Sequence, residues 1–89
     1  MSISLKGQMT ELLSLPKEII LNLPQVILTG SGELNIENYR NIIEYTETSI
    51  RVNTNSGILL IAGHSLTLKQ ITAEYITIIG DILKLEFLK

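Results

Sequence analysis

The stretch Gly57–Leu88, GILLIAGHSLTLKQITAEYITIIGDILKLEFL, decides the fold. Apolar residues recur at every second position in Leu59/Ile61, Leu66/Leu68, Ile76/Ile78 and Leu83/Leu85/Phe87, which is the period of a half-buried strand rather than a helix. Gly63-His64 and Gly80-Asp81 interrupt the pattern, and a Gly-X pair suits a two-residue type II′ hairpin turn. Pairing on paper about these turns gives two hairpins. The first places Leu59, Ile61, Leu66 and Leu68 on one core face, and the second does so for Ile76, Ile78, Leu83, Leu85 and Phe87. Their back faces carry Ile58, Leu60, Ile79 and Ile82 among polar residues. A strand with one wet face alternates more cleanly than that, so these four are candidate interaction residues.

Working towards the N-terminus, the same period continues through Ile50/Val52, Ile43/Tyr45, Leu34/Ile36 and Val26/Leu28. Turn signals separate the pairs at Gly30-Ser31-Gly32, Asn38–Asn41, Glu47–Ser49 and Asn53–Gly57, with Gly30, Gly57, Gly63 and Gly80 as the expected structural turns. The segments VILTGSGELNI, IIEYTETSIRV, LLIAGHSLTL and ITIIGDILKL form a loose strand–turn–strand repeat. A repeat of that length also fits a short β-solenoid. The preferred reading is a small antiparallel β-sandwich or roll of hairpins, as one β domain over residues 16–89.

Residues 1–15 read differently. Leu5, Met9, Leu12 and Leu13 recur at helical spacing, Ser4 is a candidate cap and Pro16 a stop, which predicts a short amphipathic helix. Gly7 weakens it by about 1 kcal/mol relative to Ala, so it needs a surface to lie on. Lys6 alone against Glu11 does not suit anionic lipid, and docking on protein is the expectation. Lys17–Leu23 reads equally as a helical turn or a strand.

Composition narrows the function. The 89 residues include 15 Leu, 15 Ile and 2 Val, too apolar for intrinsic disorder, and only four aromatics. A chain of 9.9 kDa buries about 60–65% of its unfolded surface, leaving little room for an enclosed substrate cavity beside the core. No cysteine rules out disulfides, a thiol nucleophile and Cys-based metal sites. The net charge of −2 and scattered basic residues do not suit nucleic acid. The opening MSISLKGQMTELLSLP has no apolar core of a signal peptide, and no run reaches the ~20 residues of a membrane span, so a cytoplasmic protein without membrane insertion is expected.

No constellation for catalysis emerges. His64 is the single histidine and has no partner ligands nearby in sequence. Asp81 sits in a Gly-Asp pair, and Glu44 and Glu47 read as a solvated strand end. Ser31-Gly32 and Ser56-Gly57 lack the nucleophile-elbow pattern, and Gly30-x-Gly32 lacks the third glycine of a dinucleotide loop. Neither enzyme activity, cofactor nor metal is expected. A small ligand-binding β module is the alternative to a protein-interaction module, although four aromatics do not favour glycan stacking.

The ordered succession Leu15-Pro16-Lys17, Asn22-Leu23-Pro24, a strand closing on Gly30, Ile36-Glu37-Asn38-Tyr39-Arg40, Ile50-Arg51-Val52, Gly57, Gly63 with Leu66-x-Leu68, and Ile78-Ile79-Gly80 resembles the YabP/YqfC sporulation family, on its YqfC branch. The likeness runs from about Leu12 to Phe87. One departure is Asn41, where the family often carries glycine; Asn also tolerates a left-handed backbone. The resemblance implies a role in endospore formation in a Firmicute-type bacterium, production in the mother cell, and no catalytic residues. The family's genes tend to neighbour those of sporulation membrane proteins. That implies a membrane-protein partner, with the chain peripheral at the forespore envelope through it; the apolar back faces and exposed strand edges offer self-association as the other route.

Overall fold

The computed structural model describes residues 22–89; the expected helix with Leu5, Met9, Leu12 and Leu13 lies outside them. Six strands follow: β1 (Gln25–Thr29), β2 (Glu33–Glu37), β3 (Asn41–Tyr45), β4 (Ser49–Thr54), β5 (Gly57–Ile71) and β6 (Tyr75–Leu88). All neighbours are antiparallel, in the order β1-β2-β6-β5-β4-β3. The architecture is therefore all-β and antiparallel, and the solenoid alternative, which needs stacked parallel coils, is excluded.

β5 and β6 are long, with 15 and 14 residues, because the chain runs straight through both expected turns. Gly63 pairs with Ile82, and His64 with Asp81. The hairpins expected at Gly63-His64 and Gly80-Asp81 are thus replaced by one long β5–β6 hairpin, turned at residues 72–74. Bends near Gly63 and Gly80 divide it. β1, β2, the first half of β6 and the second half of β5 make one layer. β3, β4, the first half of β5 and the second half of β6 make the other. The layers share one core of Leu34, Ile36, Ile50, Val52, Leu59, Ile61, Leu66, Ile76, Ile78 and Ile82, with Val26, Tyr39, Ile42, Leu68 and Leu85 packed against it.

Glycine permits the bends. A Cβ on Gly63 would overlap the Asp81 carbonyl oxygen, and one on Gly80 (φ +143°) would lie 2.7 Å from the Ser65 oxygen and 2.9 Å from Leu66 Cα. Gly30 lies in the β1–β2 turn with φ +59°, and Gly57 opens β5 with φ +110°. The left-handed residue after β2 is Asn38, at φ 63°, while Asn41 lies in β3.

Register explains which apolar residues are buried. In a continuous strand Ile82 stays in phase with Ile76 and Ile78, so it enters the core at 6% exposure. This corrects its expected place on the back face. Ala62 pairs with Lys84 and Gly63 with Ile82, so Leu83 is the extra residue of a β-bulge and is turned outward at 63% exposure. The expected core residue Phe87, at the end of β6, is also exposed. A second bulge, between Ile42 and Glu44, turns Ile43 outward while Ile42 packs inward, the reverse of the expected Ile43/Tyr45 phase.

The two short hairpins dock on the bends. Gly80 and Ile82 donate to the Ser31-Gly32 turn, Gly80 N–H to Gly32 at 3.1 Å and Ile82 N–H to Ser31 at 2.9 Å. On the other side Leu66 N–H donates to Glu47 at 2.8 Å and Gly63 N–H to Thr48 at 3.1 Å. Threonine hydroxyls at Thr46, Thr54 and Thr72 each accept main-chain N–H groups two or three residues on, fixing the β3–β4, β4–β5 and β5–β6 turns.

Candidate functional site

The candidate interaction residues do not form one patch. Ile58 and Leu60 lie on the outer face of the β3–β4 layer, half-buried between Asn53 and Leu88 and between Arg51 and Glu86 respectively. Ile79 is half-buried on the outer face of the other layer, between Glu33 and Thr67. The outer faces look in opposite directions because the layers pack through their inner ones.

The exposed large apolar side chains are different ones: Leu23, Ile27, Leu28, Ile43, Tyr45, Ile71, Leu83 and Phe87. They fall on edge strands, at bulges and at strand ends, where period-2 reading cannot separate core from surface. On β1, Ile27 is 49% and Leu28 43% exposed, one on each face of the strand. Beside Ile27, Asn35 donates to Thr77 Oγ1 at 3.4 Å, and its buried carbonyl oxygen has no partner among the described residues.

A cleft of about 400 Å³ opens at one end of the β1–β2 layer, lined by Glu37, Asn38, Tyr39, Ala73, Glu74 and Tyr75. Sequence reading missed it because its two sides are 35 residues apart in the chain. The β2–β3 connection is tied to the β5–β6 turn by Asn38 N–H to the Glu74 carbonyl at 2.8 Å, and by Tyr39 hydroxyl to the Thr72 carbonyl at 2.5 Å. The Asn38 side-chain amide also holds the incoming chain through the Leu23 carbonyl at 3.0 Å. Two carboxylates and two tyrosine rings with no basic residue in the lining suit a cation or a hydrogen-bond donor. The lining contains no Ser, Thr, Cys, Lys or His. His64 is exposed in β5 opposite Asp81, away from the cleft. Among the described residues no group of three or more His, Cys, Asp or Glu is arranged to hold a metal ion, and no helix is long and apolar enough to cross a membrane.

Opposite charges meet on one outer face. Arg51 Nε pairs with Glu44 at 3.1 Å and Lys84 Nζ with Glu86 at 3.2 Å, both solvent-exposed and on the β3–β4 layer.

No solved structure matches the chain. Over 78 residues it is 28% identical to the uncharacterized protein YqfC of Bacillus subtilis (strain 168), an alignment spanning 88% of this chain and 84% of that protein. The YabP family model matches residues 22–89, the same span that builds the folded sheet, and the chain belongs to the YabP family.

Proposed function

We propose that this chain is a non-enzymatic interaction module of sporulation, acting in the mother cell by binding a sporulation membrane protein or further copies of itself. The observation that carries the reading is the placement of its exposed apolar side chains. They lie outside the core, on edge strands, at bulges and at strand ends, where another protein can cover them, while the one cleft described holds only carboxylates, phenols, an amide and an alanine. Family membership supplies the setting: the resemblance to sporulation proteins set out above extends through the whole folded sheet.

Fractionation of sporulating cells tests it. A tagged copy is followed with and without the sporulation membrane protein proposed as its partner. Membrane association that disappears with that protein is the expected result for an adaptor. A chain that remains soluble, unassociated and dispensable for spore formation in both strains contradicts the reading. The cleft favours a second reading, a small ligand-binding module for cationic or donor-rich molecules. A thermal-shift series with spore-envelope fragments and polyamines checks it, stabilisation lost in Glu37→Gln/Glu74→Gln being the supporting result.

A further inference from the structure

We propose that β1 is a self-pairing edge, through which two copies of this chain join antiparallel about a two-fold axis centred on Ile27. This rests on the interaction-module reading and names one occupant for it, a second copy.

Among the described residues the sheet leaves four stretches of free edge, and three are protected. β3 carries Glu44 and the bulge at Ile43. The second half of β5 carries His64 and Lys69, is bulged, and is closed by Leu66 N–H to Glu47 and by Leu68 N–H to the Tyr45 hydroxyl at 3.3 Å. The second half of β6 carries Lys84, Glu86 and the bulge at Leu83. Charges and bulges are the devices by which proteins block edge-to-edge addition. β1, with the sequence QVILT, has neither: it is uncharged, in unbroken register with β2, and exposed at four of its five residues. Pro24, which has no N–H, marks where its pairing begins.

The register is self-complementary. With Ile27 opposite Ile27 of the partner subunit, Val26 faces Leu28 of the partner subunit and Gln25 faces Thr29 of the partner subunit. The core row Ile76–Ile36–Val26 then continues into the partner's row through Leu28, so the two cores are joined across the seam. Glu33 and Glu37 lie one strand back on β2, so no like charges meet. Five residues of strand bury less than the ~1,200–2,000 Å² of a permanent dimer, and the association is therefore concentration-dependent.

Sedimentation of the full chain over a concentration series tests the seam. The expected mass rises from 9.9 kDa towards twice that value. Ile27→Lys and Ile27→Glu each hold it at the monomer value with an unchanged β spectrum, and mixing the two restores association by setting opposite charges across the axis. Ile43→Lys, on the β3 edge, leaves association intact. Because the chain has no cysteine, Ile27→Cys supplies a second readout that does not depend on charge. Mild oxidation should link it into a dimer, and Ile43→Cys should stay monomeric. A native chain that stays at monomer mass at every concentration, or a dimer that survives Ile27→Lys but not Ile43→Lys, overturns the proposal. The fractionation above is a separate test, since a monomer can still bind a membrane protein.

Discussion

Gly63 and Gly80 stand out in the sequence, but what they do depends on residues far from them in the chain. A Gly-His or Gly-Asp pair encodes backbone freedom, and the local rule reads that freedom as a turn. The structure uses it so that β5 and β6 can approach each other at a bend, with Gly63 against the Asp81 carbonyl and Gly80 against Ser65 and Leu66. Nothing in the dipeptide itself announces an opposing strand. Gly63→Ala and Gly80→Ala should therefore each destabilise the fold by more than about 2 kcal/mol, since the clashing atoms are backbone. Gly30→Ala should cost only about 1 kcal/mol, because its space is open and only its φ of +59° is unfavourable. Urea denaturation of the three variants reads the order directly; equal losses would remove the bend from the account.

For the elements, sequence reading succeeded where pairing is local. The segments 26–36 and 42–52 each form a strand–turn–strand unit, as β1–β2 and β3–β4. The matching segments 59–68 and 76–85 do not, because each is one bent strand whose partner is the other. Bulges then decide individual side chains. Leu83 and Ile82 are adjacent and equally apolar, yet one is 63% exposed and the other 6%. Ile82→Ala should cost about 2–5 kcal/mol and Leu83→Ala no more than about 0.5. Calorimetric midpoints that fall equally for both would refute the register. The Thr72 hydroxyl accepts N–H bonds from Glu74 and Tyr75 at 3.1 and 3.0 Å, so Thr72→Ala should lower stability by about 1 kcal/mol. The exposed Arg51–Glu44 pair should show a coupling of at most about 0.5 kcal/mol in a double-mutant cycle, smaller still at high salt.

Across the whole molecule, the all-β class was legible because aliphatic residues at period 2 fill two inner faces. The candidate surface was less so: of its β residues, Ile58 and Leu60 share one outer face, Ile79 faces the other way and Ile82 is core. Surface and core are separated by edges, bulges and the folding-over of the sheet, none of which has a local sequence signature. Accessible among the described residues are an uncharged edge at β1 and a cleft of carboxylates and phenols at the Glu37 end of β2. The central claim is that the chain works through protein contact at its edge and not through chemistry in that cleft. The most direct measurement is the heat-resistant spore count of strains whose only copy carries Ile27→Lys or Glu37→Gln/Glu74→Gln, with protein levels matched. The account predicts a large loss of spores for Ile27→Lys and a count near that of the native chain for the double carboxylate variant; the opposite pattern would contradict it.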